Sequence, residues 1–191
     1  MEKENIHPIR SKADLIAQLN GEYADVPFRL FYGHTPRAPG VVDQSCLSQW
    51  SPHSFQKDGT VYQTAEHAMM ADKARACGDP AGLAAILAAP SPDAAKREGR
   101  RVRGYSDAIW DPVKFDAVVE NNVAKFSQNP ELREFLIRTH PGILVEASPY
   151  DRIWGIGLRA AHANSRDPTK WPGQNLLGFA LMEVRRRLMQ S

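Results

Sequence analysis

The sequence has few of the features that would place it among secreted, membrane or fibrous proteins. It contains only two cysteines, Cys46 and Cys77, which argues against a disulfide scaffold and favours a reducing, cytoplasmic environment. Its longest apolar run, Leu83 to Ala89, is far too short to cross a bilayer, so we expect no membrane association. The charged N-terminus has no apolar block behind it, so we expect no signal peptide.

Neither sign of charge dominates the chain, whose formal net charge is only +2. That balance permits a phosphorylated ligand or a nucleic acid as partner without requiring either. Repeats, low-complexity tracts and Gly/Ser-rich linkers are also absent, and 42% of the 191 residues are apolar. The chain is therefore long enough for one domain with a sizeable core. We expect an N-terminal extension over residues 1–25 and a single domain over residues 26–191.

Metal and dinucleotide motifs are missing as well. No His-x-x-x-His or Cys-x-x-Cys spacing is present, so we expect no metal site. Residues 155–160 match Gly-x-Gly-x-x-Ala, but no long apolar strand leads into them and no apolar helix follows, so we expect no dinucleotide cofactor. In this loop Gly155 would let a ligand approach the backbone, and Trp154 would either stack on a base or sugar or pack in the core.

Local patterns predict a mainly helical α+β fold, with a few short strands in one compact domain. Capping residues before helices, glycine after them and Asp-Gly in a hairpin mark most of the element ends. Strands are predicted at 26–32 and 143–147, a hairpin at 54–62, and helices at 11–19, 65–77, 80–89, 92–98, 112–126, 130–138 and 175–189.

The predicted helix that follows Thr64 carries two charged residues on its most apolar face. At about 100° per residue, Lys73 falls roughly 20° from Glu66, and methionine and alanine side chains flank the pair. Since helical side chains lean towards the N-terminus, we expect Lys73 to reach back towards Glu66. Buried charges are costly unless they are paired or used. The pair is therefore either a structural ion pair or a site of chemistry, in which burial makes Lys73 easier to deprotonate.

An ordered series of short motifs resembles the NADAR family, also called YbiA-like, from about Phe31 to Leu188. No single motif is specific, but the series is. Its pieces are, in chain order, Phe31-Tyr32-Gly33-His34, Leu47-Ser48-Gln49-Trp50, Thr64-Ala65-Glu66-His67 with Lys73-Ala74, Ser91-Pro92 with Lys96 and Gly99-Arg100, Lys125-Phe126, Leu144-Val145-Glu146-Ala147, Asp151 with Trp154-Gly155-Ile156-Gly157, and Gly173-Gln174-Asn175-Leu176-Leu177-Gly178.

The resemblance implies a hydrolase with a small, mainly helical N-glycosidase fold. Two activities are associated with the family: removal of ADP-ribose from guanine in nucleic acid, and cleavage of phosphoribosylamino-pyrimidine intermediates of riboflavin synthesis. Both break a bond between ribose C1 and an exocyclic amine. Members of the second group often carry Trp-Gly-Asp-Gly, where this chain has Ile156, and the frequent Ser-Asn-Phe is Ser48-Gln49-Trp50 here. These departures favour ADP-ribosyl-guanine as the substrate.

The resemblance also supports a catalytic lysine at Lys73. We expect its amine to attack an imine at C1, and Glu66 to act as the acid and base. The expected partner is an ADP-ribosylated nucleic acid or a nucleotide-like small molecule, and a cognate ADP-ribosyltransferase toxin would be a functional partner. The residues expected to contact ribose and base are Trp50, Asp151, Trp154 and Asn175, with Phe31, Tyr32 and His34 in the pocket wall.

Two alternatives stay open at this point. In one, Glu66 alone activates a water molecule and Lys73 only holds charge. In the other, the domain is a non-catalytic module that binds ADP-ribose, although a binding module does not need an activated amine.

Overall fold

The computed structural model describes residues 8–190, and within them the chain forms seven α-helices and four short strands. The mainly helical α+β fold expected from the sequence is confirmed. Residues 1–7 of the expected N-terminal extension lie outside the described residues. In chain order the elements are α1 (Lys12–Gln18), β1 (Phe28–Phe31), β2 (Phe55–Lys57), β3 (Thr60–Tyr62), α2 (Ala65–Ala76), α3 (Pro80–Leu87), α4 (Pro92–Gly99), α5 (Asp107–Gln128), α6 (Pro130–Arg138), β4 (Ile143–Glu146) and α7 (Leu176–Gln190).

The described chain divides into two units. The first consists of the residues up to Tyr32 together with those from Ile137 onward, and the second is Gly33–Leu136. The chain leaves the first unit just after β1 and returns to it within α6. The second unit is therefore an insertion between two segments of the first.

A parallel pair of strands forms the centre of the first unit. β1 pairs with β4, with Phe28 opposite Ile143, and α7 packs on β4. Gly178 of α7 permits this close packing, because a Cβ at this position would collide with the carbonyl oxygen of Leu144. Residues 143–145 are completely buried, which explains why β4 is a continuous apolar run.

The second unit is built around α2, which packs against α3, α4 and α5. The predicted hairpin is confirmed as β2 and β3, and its turn residues Asp58 and Gly59 have φ values of 51° and 74°, as a primed turn requires. Thr64 caps α2 as predicted, and Gly78 follows the helix with a φ of 67°. Helices α3 and α4 each begin with proline after a capping residue.

The longest helix, α5, begins at Asp107, so the prediction that it starts at Pro112 is wrong. Pro112 lies in the second turn, where its ring nitrogen has no hydrogen to donate to the carbonyl of Ala108. Both residues are exposed, so water can replace the missing donor. Asp111-Pro112 resembles a helix start but lies within a segment that is already helical. None of the helices within residues 8–190 combines the length and the apolarity needed to cross a membrane.

Candidate active site

The first turn of α2 buries a carboxylate. Glu66 is only 2% exposed, and its backbone N–H donates to the carbonyl oxygen of Gln49 at 2.9 Å. A helix N-terminus favours negative charge, which suits a carboxylate at this position. The buried residues of α2 include Met69, Met70 and Ala74 of the predicted apolar arc, but Ala65, Ala68 and Ala71 on the other faces are buried as well, and Ala76 of the arc is exposed. The start of the helix is therefore buried on all sides, and the predicted contrast between two faces is wrong.

Lys73 lies two turns further along the same helix and is half-buried. Its ammonium donates to the carbonyl oxygen of Gly99 at 2.8 Å and lies 4.1 Å from the centroid of the Tyr105 ring. The expectation that Lys73 reaches back towards Glu66 is therefore wrong. Its Nζ is held instead at the C-terminal end of α4, because the carbonyl groups of a helix end attract a cation.

The surroundings of Lys73 make its amine easier to deprotonate. Burial is the main cause that lowers its pKa, and the guanidinium of Arg100 lowers it further, against the opposite influence of Cys77 and Asp107. At neutral pH the neutral amine is therefore more abundant than for a solvated lysine. A neutral amine can still donate one hydrogen to Gly99 while its lone pair points elsewhere.

Gly99 brings α4 close enough to α2 for this contact. A Cβ on Gly99 would lie 2.7 Å from Cγ of Met70, so a side chain here would have to displace the Met70 side chain. The motif that pairs Gly99 with Arg100 thus has a geometric purpose. Its first residue allows the helices to touch, and its second places a cation near Lys73.

Trp50 forms a second polar and aromatic cluster in the same unit. Its half-buried indole lies 5.5 Å from the His34 ring, measured between ring centroids, and 5.8 Å from Nζ of Lys96. Lys96 is on α4, and His34 is exposed in the loop after β1. An aromatic face next to a cation is suited to a base or sugar that carries a phosphate.

A cavity of about 570 Å³ lies next to His34 in the second unit. Asp43 and His53 are among its polar lining residues, and burial lowers the pKa of His53. Its apolar lining includes Pro36, Val41, Val42, Pro130 and Leu132. The cavity is large enough for a small-molecule ligand, and its lining mixes apolar and polar groups as ligand sites do.

Side chains of α5 form hydrogen bonds with the residues that precede Trp50. Lys125 is completely buried, and its ammonium donates to the carbonyl oxygens of Cys46 at 2.7 Å and Ser48 at 3.0 Å. Asn122, one turn earlier on α5, donates to the side-chain oxygen of Gln49 at 2.9 Å. Burial lowers the pKa of Lys125 to about 8.

Sequence reasoning gave Lys125 no role, although a signal was present. Lys125 follows Val118 by seven residues, so the two share a face of α5, and the neighbouring positions Val119 and Phe126 are apolar. The periodicity argument that selected Glu66 would also have selected this lysine.

In the first unit, the loop after β4 is shaped by Asp151. Its Oδ1 accepts hydrogen bonds from the backbone N–H of Ile153 at 2.8 Å and of Trp154 at 2.7 Å, so the side chain closes a tight turn. Trp154 is half-buried. A Cβ on Gly155 would lie 2.9 Å from Cβ of Ser148, so this glycine has a packing reason besides any ligand.

Asn175 joins this loop to β4. Its side chain accepts from the backbone N–H of Glu146 and donates to the carbonyl of Leu144, both at 2.9 Å, and it is completely buried. Its φ of 58° is in the left-handed region, which asparagine tolerates better than most residues. Both ends of the Asn175 amide are therefore hydrogen-bonded within the fold.

The remaining predicted wall residues differ in exposure. Phe31 is 2% exposed and belongs to the core, whereas Tyr32 is 51% exposed. Ile156 is completely buried, and its N–H donates to the carbonyl of Glu146. Position 156 is therefore an apolar core position in this chain.

The predicted site residues are thus divided between the two units. His34, Trp50, Glu66 and Lys73 lie in the second, and Phe31, Tyr32, Asp151, Trp154, Gly155 and Asn175 lie in the first. In the second unit, Gln49 links two of them, because it accepts from Glu66 and precedes Trp50. In the first, Asp151, Trp154, Gly155 and Asn175 form one hydrogen-bonded cluster, in which the Asn175 N–H donates to Gly155.

Comparison with known proteins identifies the family of this chain. The NADAR domain family matches residues 30–189. N-glycosidase R617 of Acanthamoeba polyphaga mimivirus is 42% identical over 165 residues, which cover 84% of this chain and 95% of that protein. The chloroplastic riboflavin biosynthesis protein PYRR of Zea mays is 32% identical over 155 residues, which cover 75% of this chain and 23% of that protein.

The solution structure of the E. coli protein YbiA is similar to this fold, with a TM-score of 0.66 and 27% sequence identity. The similarity covers 86% of this chain and 88% of that one. Further relatives also carry the name N-glycosidase. The chain belongs to the NADAR domain family and is an enzyme of the N-glycosidase kind, a hydrolase that acts on N-glycosyl bonds.

Proposed function

We propose that this N-glycosidase cleaves the bond between ribose C1 and an exocyclic base amine, and that its substrate is ADP-ribose attached to guanine in nucleic acid. The observation that carries the proposal is the pair of functional groups on α2. Glu66 is a buried carboxyl group at the helix N-terminus, and Lys73 is a half-buried amine of lowered pKa on the same helix. A glycosylamine is cleaved by an acid, a base and a nucleophile, and these two residues supply all three.

The first step opens the ribose. Glu66 enters the cycle as the carboxylic acid. The bond between C1 and the ring oxygen breaks, the Glu66 proton moves to that oxygen, and the nitrogen lone pair forms an iminium ion at C1. The neutral amine of Lys73 then adds to C1. A proton passes from the Lys73 nitrogen to the guanine nitrogen, and guanine leaves as a neutral amine with the electrons of the broken bond.

The second step releases the sugar. Guanine departure leaves a Schiff base between C1 and Lys73, and water adds to C1 while Glu66 takes its proton. The hydroxyl proton then passes to the lysine nitrogen as the carbon–nitrogen bond breaks. The products are ADP-ribose, guanine with its free amine and an unchanged enzyme, so the net reaction consumes one water molecule.

The charges around the α2 site favour an anionic nucleotide as the substrate. Lys96 lies beside the Trp50 indole, and Arg100 is close enough to Lys73 to lower its pKa. A pyrophosphate is attracted to such cations, and a base can stack on the indole.

The phosphoribosylamino-pyrimidine intermediate is the second candidate substrate, because the maize relative is named a riboflavin biosynthesis protein. Ile156 argues against it in this chain. This residue stands where the second group often has aspartate, and it is completely buried, so the position offers no carboxylate to a substrate. An ADP-ribosyltransferase that modifies guanine would then be the functional partner, since it makes the substrate.

A direct assay tests the substrate. The purified protein is incubated with guanine-ADP-ribosylated DNA and RNA oligonucleotides, and in parallel with the phosphoribosylamino-pyrimidine. Release of ADP-ribose, followed by mass spectrometry, is the expected result. Turnover of the pyrimidine alone would assign the enzyme to the riboflavin group. Binding of ADP-ribose in calorimetry without cleavage of either substrate would leave only a binding role.

Borohydride tests the nucleophile, because it reduces a Schiff base to a stable amine. We expect a covalent adduct on the peptide that contains Lys73, and none in Lys73→Met. Lys114→Met is a matched control, because Lys114 is also half-buried and pairs with Asp111 on α5. Substantial turnover by Lys73→Met without an adduct in the wild type would show that Glu66 activates water by itself.

Glu66→Gln should lower kcat by about 10²–10⁴-fold in either mechanism.

A further inference from the structure

The buried polar face of α5 carries two side chains that both hold the segment from Cys46 to Trp50. Lys125 donates to the carbonyls of Cys46 and Ser48, and Asn122 donates to the side chain of Gln49. Both α5 residues are 0% exposed, and the hydrogen bonds span more than seventy residues of sequence. A completely buried lysine is rare, because removing its charge from water is costly. Two well-placed carbonyl acceptors compensate for part of that cost.

The same segment is attached to the start of α2. The carbonyl of Gln49 accepts the N–H of Glu66 at 2.9 Å. That N–H is one of the first four of the helix, which have no partner within the helix itself. The contact between Gln49 and Glu66 therefore depends on where α5 holds the segment, and Trp50 follows directly in the chain.

We propose that Lys125 and Asn122 are positioning residues, which act through residues 46–50 to place Glu66 and Trp50 for the reaction. The proposal rests on the proposed function for the part that concerns catalysis, but the placement itself is measurable without substrate. Neither residue touches the reacting atoms. Lys125 has its ammonium on two backbone carbonyls, and Asn122 has its amide on Gln49 and on the carbonyl of Val118.

Amide hydrogen exchange at Glu66 measures the placement directly. In Lys125→Met, an apolar side chain of similar length removes the ammonium from both carbonyls, and only that of Ser48 keeps another donor, the N–H of Ser51. In Asn122→Ala, the tie to Gln49 is lost while Lys125 stays in place. We expect the Glu66 amide to exchange at least about tenfold faster in both variants, relative to amides that report global unfolding.

Asn121 provides the matched control. It is the neighbouring residue on α5 and is also 0% exposed, but its side chain accepts from Lys57 and donates to Asp72. Asn121→Ala therefore removes a comparable buried polar contact without touching residues 46–50. We expect unchanged exchange at Glu66 and a kcat within about threefold of the wild type, whatever stability is lost.

Kinetics on the guanine-ADP-ribosylated oligonucleotide measure the consequence. A displacement of about 1 Å in a catalytic group can lower the rate by about 10²-fold, so we expect a loss of that order in kcat for Lys125→Met, after normalisation to folded protein. If Lys125→Met does not fold, the exchange rate at Glu66 and the kcat of Asn122→Ala test the proposal. Unchanged exchange at Glu66 in the folded variants, or an equal loss of kcat in Asn121→Ala, would overturn the proposal. Faster exchange at Glu66 together with an inactive wild type would instead uphold the placement and refute the proposed substrate.

Discussion

Replacement of Asn175 removes the side chain that ties the start of α7 to β4. Its carbonyl accepts from Glu146 and its amide donates to Leu144, each at 2.9 Å, and no part of it is exposed. The backbone adds a second constraint, since the φ of Asn175 is 58°. The loss of the hydrogen bonds and the strain of a positive φ can therefore be measured separately, by replacing Asn175 with glycine and with alanine.

The expected magnitudes follow from these contacts. Asn175→Ala leaves two buried backbone groups without their partner, at about 1–3 kcal/mol each. Alanine at positive φ adds roughly 1–2 kcal/mol of strain, which glycine does not have. We therefore expect Asn175→Ala to lose more stability than Asn175→Gly, by about 1 kcal/mol. For a chain of this length, each kcal/mol lowers Tm by about 2–4 °C.

Urea unfolding followed by circular dichroism, together with thermal scans, measures both differences. Asn164→Ala is the control, because Asn164 is a half-buried loop residue of the same unit. Its effect should stay within about 0.5 kcal/mol. A loss below about 1 kcal/mol for Asn175→Ala would show that its two hydrogen bonds are not important to stability. A glycine variant less stable than the alanine variant would refute the strain argument.

Three further predictions concern packing and buried groups. Gly178→Ala should lower the free energy of unfolding by at least about 1–3 kcal/mol, measured by urea titration, because its Cβ would collide with the carbonyl of Leu144. The pKa of Lys125 is about 8 in the folded chain and ordinarily 10.5, so the unfolded chain binds more protons between these two pH values. The free energy of unfolding therefore rises with pH across this range, and this gain is lost as the pH falls through 8. The wild type should therefore gain roughly 3 kcal/mol relative to Lys125→Met between about pH 8 and pH 10.5 in urea titrations, and a flat difference would contradict this. Burial raises the pKa of the Cys46 thiol to about 12, so a thiol reagent at pH 8 should modify Cys77 in the native protein and leave Cys46 unmodified until urea is added.

The sequence predicted those elements whose ends are marked by local chemistry. The hairpin follows from Asp58-Gly59, because both residues must have positive φ, and α2 follows from Thr64 and Gly78. The same kind of signal misplaced the start of α5. Asp111-Pro112 has the sequence pattern of a helix start, a capping residue followed by proline, but tertiary packing extends the helix back to Asp107.

The candidate site could be predicted only in part, because its contacts are between residues far apart in sequence. Periodicity placed Glu66 and Lys73 on the same side of α2, but the partner of Lys73 is the carbonyl of Gly99, on another helix. Likewise, nothing local in the sequence indicates that both polar ends of Asn175 bond to β4. Patterns of one helix indicate which face is buried, whereas the choice of partner depends on how helices pack.

The insertion of Gly33–Leu136 between β1 and β4 has a consequence for the order of events during synthesis. A ribosome releases β1 early, but β4, the strand that pairs with it within residues 8–190, emerges after the whole inserted unit has been made. At typical synthesis rates this delay is on the order of ten seconds. During that time β1 presents unpaired backbone groups, while the inserted unit already has all of its own strands and can fold. Vectorial synthesis therefore favours completion of the unit that carries Glu66 and Lys73 before the parallel strand pair closes.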